Sequence, residues 1–406
     1  MKILITNGAY KHALCAIRSL GKKGYTVGVV AHHFTAVGFY SKYCQRRHII
    51  PTLTDKDIYI EQLLTILKKE KYDVLLPIGY PQTAWIAEYV DKLKPYTRIP
   101  IANWDKISTF QDKEKTQYFA QSLAIPTPKT YYPTLKQENE LDKIASEVGF
   151  PAVIKYKNEG QNHAIIYVKN KEDLKKEYAL LASKRPDDLP IIQQYLEGEG
   201  VGFFALYDQG VCKQFFMHRR VREYPVSGGS SSCAVSIYDE KIKEYGLKIL
   251  DAANWQGVAM VEFKYDKKLE NTRLSDRQAE GKSAHRVLHL LEVNPKFWGS
   301  LDLSETVGVG FVEKTIYMAM SQPFLEHETY ETDVEFSWLF DGDLQHGIET
   351  GKAFFILKNG LGGRVKTNLN FTDFLPTLII ILKNMPMLIK SILTVSLKKN
   401  KHFKAF

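Results

Sequence analysis

Hydrophobic and polar positions divide the chain into segments of different period. Lys2–Thr6 reads as a short buried strand, Gly8 as a turn, and the stretch from about Lys11 to Lys23 as a helix. A second strand follows at Tyr25–Ala31, completing a βαβ unit. Asp73–Pro77 gives a further strand feeding a helix with Trp85 and Ile86, so residues 1–105 read as a small doubly wound domain. Residues 106–190 show helix–strand–strand–helix patterning, expected as a compact α+β lid. The region 191–325 alternates with period two at Gly202–Tyr207, Lys213–Met217, Gly257–Asp266 and His289–Gly299. Polar residues 267–285 predict a long hairpin loop between the last two strands. Residues 326–406 are expected to form a helical C-terminal extension.

Within the last two strands, acidic and amide residues interrupt the apolar alternation. Glu262 falls on one face with Val258 and Met260, and Glu292 and Asn294 on one face with Leu290. Pairing the strands would gather the oxygens of Glu262, Glu292 and Asn294 on one apolar surface. Carboxylates are costly there unless a cation neutralises them. An oxygen-only donor set favours Mg²⁺ or Mn²⁺, and Mg²⁺ held by few carboxylates usually arrives with phosphates.

The run Glu292-Val293-Asn294-Pro295-Lys296-Phe297-Trp298-Gly299 is similar to the E-x-N-x-R metal strand of the ATP-grasp superfamily. Three further landmarks stand in the same order upstream. Asp112-Lys113 opens a helix ending at Ala124-Ile125-Pro126-Thr127-Pro128, and Phe150-Pro151-Ala152-Val153-Ile154-Lys155 resembles the second lysine strand. Ile191–Leu196 resembles the strand and linker that hold adenine. The resemblance runs from about Lys106 to Phe311. It implies a Rossmann-like N-terminal domain, a two-lobed ATP-grasp fold with lid (106–190) and catalytic lobe (191–325), and the C-terminal extension, an α/β and α+β multidomain chain.

The resemblance also implies roles. Lys113 and Lys155 would bracket the polyphosphate, with family spacing selecting Lys113 over Lys115. Gly160 is the one glycine of a flap that the family makes glycine-rich. Gln193 and Gln194 occupy the place of an acid and a lysine at the adenine position, where the main chain of Tyr195 and Leu196 can also read the base. Glu199 is the candidate for the ribose hydroxyls, with Glu197 a second choice. The run His218-Arg219-Arg220-Val221-Arg222-Glu223-Tyr224-Pro225, followed by Gly228-Gly229-Ser230, looks like the family's substrate loop. Arginine forks bind phosphate or carboxylate in pairs of hydrogen bonds. Strict alternation puts Arg220 and Arg222 on one face and Arg219 opposite, which makes Arg222 the preferred acyl-phosphate ligand. Lys296 replaces the family's arginine, keeping the charge and losing the fork.

The implied activity is an ATP-dependent carboxylate–amine ligase using ATP and Mg²⁺ (or Mn²⁺), forming an amide through an acyl phosphate and releasing ADP and phosphate. A role in cell-envelope, polysaccharide or peptide metabolism is part of that expectation. A nucleotide-binding regulatory protein without turnover, a kinase and a carboxylase of the same fold are the alternatives.

Composition narrows the partners. A net charge of +9 suits nucleotides, phosphorylated metabolites or an acidic membrane surface. The basic residues are dispersed and form no nucleic-acid motif, so small-molecule carboxylates and amines are expected rather than nucleic acid. Four scattered cysteines without C-x-x-C spacing point to a reducing cytosol and away from structural zinc. The apolar run after Met1-Lys2 is too short for a signal peptide, so a cytoplasmic protein is expected. The N-terminal turn Asn7-Gly8-Ala9-Tyr10-Lys11-His12 lacks the dinucleotide fingerprint. Asn7, Gly8 and Tyr80 either face a substrate or serve the turns. Leu375–Leu397 is apolar but broken by Pro376, Lys383, Pro386 and Lys390, and a lysine-rich stretch follows. Peripheral contact of Leu375–Phe406 with the inner membrane face, and a helix packed on the protein, both fit that pattern.

Overall fold

The computed structural model describes residues 1–386 and 389, apart from 53, 135–138, 159–164, 227, 267–286 and 327–328. The expected hairpin loop at 267–285 and the flap glycine Gly160 lie outside the described residues.

Four parallel strands open the chain: β1 (Lys2–Ile5), β2 (Thr26–Ala31), β3 (Cys44–Ile49) and β4 (Val74–Leu76), in the order β3-β2-β1-β4. Central strands covered on both faces have no polar alternation, which is why β1 reads as a continuous apolar run. The helix Lys11–Lys22 covers one face with Ala13, Ile17 and Leu20. The helix Lys56–Glu70 covers the other with Ile60, Leu63 and Leu67, its start capped by Asp55, which accepts from the Ile58 amide at 3.0 Å.

A second, antiparallel sheet consists of β5 (Thr130–Tyr131), β6 (Ala152–Tyr156), β7 (Ile165–Val168) and β8 (Pro190–Gln194), ordered β5-β8-β6-β7. Ala152, Ile154 and Ile192 pack against the helices Glu140–Val148 and Lys171–Lys184. Val153, Lys155, Ile191 and Gln193 therefore occupy the opposite face. The lid sheet thus spans 130–194, and β8 belongs to it. The helix Lys113–Ser122, expected within the lid, instead buries Ala120 in the core behind the third sheet, and the Pro126 carbonyl accepts from the Leu290 amide at 2.8 Å.

The third sheet contains β9 (Gly200–Asp208), β10 (Val211–Tyr224), β11 (Ser230–Ser236), β12 (Gly257–Tyr265), β13 (Leu288–Asn294), β14 (Glu335–Ser337) and β15 (Lys366–Thr367). Their order is β13-β12-β9-β10-β11-β14-β15. On one face Phe203, Met217, Val261 and Phe263 meet the helices Trp104–Gln111, Lys113–Ser122 and Glu240–Ala252. On the other, Phe204, Phe216 and Phe336 meet the helices Leu301–Thr306 and Phe311–Ala319 and share one core with the N-terminal helix. Each such side chain contributes about 1.5–3 kcal/mol on burial, so the N-terminal domain and this sheet form a common body. The segment expected as a separate extension partly joins it, because β14 and β15 extend the sheet edge. Residues 374–386 are helical. Among the described residues, no helix is long and apolar enough to cross a membrane.

Candidate active site

β12 and β13 pair antiparallel with Glu262 opposite Glu292 and Met260 opposite Asn294. Glu262, Glu292 and Asn294 therefore share the face that carries Phe204 and Phe216. Leu290 does not join them. Leu291 is an extra residue in β13, so Leu290 pairs with Phe263 and turns into the core behind the sheet.

The amide of Asn294 donates to Glu292 Oε1 at 2.8 Å, and Lys296 Nζ donates to Asn294 Oδ1 at 3.1 Å. The Lys296 ammonium also lies 4.2 Å from the centre of the Tyr80 ring, which ties this corner to the N-terminal domain. On the lid, Lys155 at the end of β6 is buried and faces the same carboxylates. Burial and the charge of Lys113 bring its ammonium down to about 8, against the opposing pull of Glu292 and Glu262. Lys113 begins a helix whose cap is Asp112, accepting from Glu114 and Lys115 amides at 2.9 and 3.2 Å. Its own amide donates to the Lys157 carbonyl at 3.0 Å, fixing the helix start to the lid strand. Lys115 is solvent-exposed. Burial raises Glu292, but Lys113 and Lys155, helped by Asn294 and Lys296, outweigh it and keep this carboxyl ionised. Glu262 is pushed up by burial and by Glu292, with Arg220 pulling the other way.

Arg220 and Arg222 do not share a face. β10 carries an extra residue at Val221 opposite β11, and β11 carries one at Ser232 immediately after. The first bulge reverses the alternation. Arg220 stays with Glu262, its Nη2 2.8 Å from Oε1, while Nη1 donates to the Gly229 carbonyl at 3.4 Å. Its side chain crosses β9 at Gly200, where a β-carbon would lie 3.1 Å from Arg220 Cδ. Arg222 turns to the other face and forks onto Asp343, Nε to Oδ1 at 2.6 Å and Nη2 to Oδ2 at 3.0 Å, with Glu335 at 3.1 Å. Asp343 is fully buried and also accepts from Ser337 Oγ at 2.6 Å. The preferred acyl-phosphate ligand is therefore a structural arginine, and Arg220 is the one in the cleft.

The expected adenine contacts divide. Gln193 is buried and donates to Thr130 Oγ1 at 2.8 Å, and Gln194 Oε1 accepts from the Lys129 amide at 3.4 Å, so both side chains serve the lid sheet. Tyr195 sets its ring edge-on to Tyr167, with Lys264 Nζ 5.1 Å from its centre, and Leu196 is buried. Glu199 pairs with Arg219 at 3.2 Å. In the N-terminal turn Asn7 Nδ2 donates to Gln82 Oε1 at 2.8 Å and to the Ile78 carbonyl, which accounts for it as turn chemistry.

Two further groups line this cleft. His218 lies in one row with Gly202, Glu262 and Glu292. Burial and then the Arg220 charge drive its imidazole down to about 3, so it is neutral, and Nε2 meets Ser300 Oγ at 2.8 Å. Tyr167 of the lid approaches the arginine loop at Gly228, where a β-carbon would come within 2.1 Å of the hydroxyl and φ is +131°. The two-residue step from Arg220 back to His218 is readable in the sequence, whereas the Tyr167 approach carries no local signal.

Oxygen ligands fit a hard divalent cation here. Two half-buried carboxylates stand opposite one another in register, with the buried amide of Asn294 beside them. Among the described residues no three His, Cys, Asp or Glu side chains gather into a metal site, so the third oxygen would come from Asn294. Four cationic groups, Lys113, Lys155, Arg220 and Lys296, face Glu262, Glu292 and Glu223, the last 3.6 Å from Arg220, leaving positive charge for an anionic ligand.

No family model matches the chain. It is 23% identical over 228 residues to the C-terminal section of the carbamoyl phosphate synthase large chain of Methanopyrus kandleri, covering 52% of this chain and 40% of that protein. It is 35% identical over 154 residues to D-alanine–D-alanine ligase of Fusobacterium nucleatum, covering 34% of this chain and 48% of the ligase. The chain thus matches less than half the length of either relative. Among solved structures, the biotin carboxylase domain of Hydrogenobacter thermophilus 2-oxoglutarate carboxylase, in complex with MgADP, ADP and bicarbonate, superposes with a TM-score of 0.63 at 18% identity. The overlap covers 82% of this chain and 73% of that one.

Proposed function

Built as it is on the ATP-grasp fold, this chain is, we propose, an ATP-dependent carboxylate–amine ligase. The observation that carries the reading is the meeting of Lys113 and Lys155 with Glu262, Glu292, Asn294, Lys296 and Arg220 in one cleft between the lid and the large sheet. ATP would supply the phosphoryl group that converts a substrate carboxylate into an acyl phosphate, and Mg²⁺ at Glu262, Glu292 and Asn294 would offset the charge of its phosphates. The amine then attacks the acyl carbon, phosphate departs with the bonding electrons, and an amide remains.

The chain's own groups hold and position. Lys155 and Lys113 are point charges for the phosphates, one from the lid and one from a helix start. Tyr195 and Leu196 offer main-chain groups to the adenine edge, with Glu199 beyond them toward the ribose. Arg220 has one edge on Glu262 and the other toward the Gly229 turn, so its fork spans the metal side and the substrate loop. Its planar donors suit the acyl phosphate and the charge that develops as it is attacked. Neutral His218 packs the same wall without competing for phosphate. Lid residue Tyr167, against Gly228, helps to exclude water from the acyl phosphate. The substrates are small-molecule carboxylates and amines handled in the cytoplasm.

ADP release measured across a panel of carboxylates, each with and without amines, tests this reading when followed by mass detection of an amide. Amine-dependent amide with stoichiometric ADP supports it. ADP with a stable phosphorylated product and no amine dependence marks a kinase and defeats it.

A further inference from the structure

The helix Ala353–Leu361 turns Ile356 and Gly360 inward, Gly360 against Leu339, with Ile356 also touching the site of Gly347. Its other side faces solvent. Phe354 is 81% exposed and Phe355 and Leu361 are also exposed, and further along the chain Phe371, at 77%, Phe374 and Leu375 are exposed as well. Single exposed apolar residues are ordinary, but six exposed phenylalanines and leucines within residues 354–375 are a concentration of apolar side chains on one segment. It is held in place. Arg18, in the N-terminal helix, pairs with Asp373 at 2.8 Å and donates to the Asn368 carbonyl at 3.2 Å, fixing the segment between the phenylalanines to the protein body.

The exposed charge of this segment has one sign. Among the described residues from Gly351 to Pro386 stand five lysines and arginines and one acid, Asp373, which is buried against Arg18. Lys352, Lys358, Arg364, Lys366 and Lys383 are exposed, and none pairs with a carboxylate among the described residues. We propose that this face docks on an anionic phospholipid bilayer, with the phenylalanines and leucines entering the headgroup boundary and the basic rim meeting lipid phosphates. A second copy is a poor occupant, because a two-fold contact would set this unneutralised basic rim against itself.

The face is also tied to the arginine strand. The segment joining it to the arginine strand contains Asp343, which holds Arg222, and His346, whose Nδ1 lies 2.8 Å from the Glu223 carbonyl.

Co-sedimentation of the full chain with phosphatidylcholine vesicles, with and without phosphatidylglycerol, tests the docking. Binding is expected only with the anionic lipid, weakening as salt rises. The pairs Phe354→Ser with Phe355→Ser, and Lys358→Glu with Arg364→Glu, should each lower it by about tenfold or more, with unchanged thermal midpoints. No binding at low salt overturns the proposal. Binding untouched by either pair overturns it too, as does concentration-dependent self-association that the phenylalanine pair abolishes. ATP turnover by the same samples in solution is read separately. Its absence in the unaltered chain would defeat the ligase reading and leave the vesicle result standing.

Discussion

Arg220 on β10 and Glu262 on β12 meet at 2.8 Å across the intervening strand β9. Arg222, two residues on, reaches a different acid on the opposite face of the sheet. The two arginines should therefore fail in different ways. Arg220→Met is expected to lower amide formation by about a hundredfold or more while the thermal midpoint stays nearly constant. Arg222→Met leaves the fully buried Asp343 without its fork, which costs about 3–5 kcal/mol. Turnover beside calorimetry of the two variants separates these outcomes, and the reverse pattern would return the substrate role to Arg222.

Gly200 is the passage that lets Arg220 cross β9. Its β-carbon position is already 3.1 Å from Arg220 Cδ, and a valine would add two methyl groups there. Gly200→Val should displace the guanidinium and reduce kcat about tenfold or more, with little change in nucleotide affinity. Equal loss of nucleotide binding would show that Gly200 matters to the lid and not to the arginine.

Much of this arrangement is legible in the sequence, and the failures share a cause. Glu262, Glu292 and Asn294 fall on one face because a period of two holds locally in β12 and β13. The lysine helix is marked by its cap, Asp112, and the lysine strand by an apolar run ending at Lys155. The misplacements at Leu290 and Arg222 both follow from one extra residue, Leu291 or Val221, which reverses the alternation beyond it. A bulge depends on the partner strand, and neither sequence marks it with glycine or proline. Strands β14 and β15, of three and two residues, are too short to show a period at all. Local sequence gives the side chains of Gln193 and Gln194 to the base, because the pairing of β8 with β5 that uses them is a contact between distant segments.

Lys155 should give the cleft a pH signature. Its folded pKa is about 8 against an ordinary value of 10.5, so between those limits the unfolded chain holds a proton that the folded chain lacks. This group's contribution to stability therefore rises with pH across that window, by on the order of 3 kcal/mol in total. Phosphate binding runs the other way, since it needs the ammonium. ADP affinity is expected to fall as pH rises through about 8, and Lys155→Arg, charged throughout, should remove that inflection. Calorimetric titration with ADP from about pH 7 to about pH 9.5 checks it. An inflection unchanged in the arginine variant would assign it to another group.

Phosphoryl transfer from ATP to a substrate carboxylate is the step on which every role given to this cleft depends. Incubating the protein with Mg²⁺, ATP, amines and a pool of carboxylates labelled with ¹⁸O tests it before the substrate itself is identified. Attack by the amine on an acyl phosphate leaves one carboxylate oxygen in the departing phosphate. Phosphate carrying a single ¹⁸O should therefore appear together with an amide, and Glu292→Ala should lower both on the order of a thousandfold. Unlabelled phosphate released at the same rate by the unaltered chain and by folded Glu292→Ala would refute the transfer.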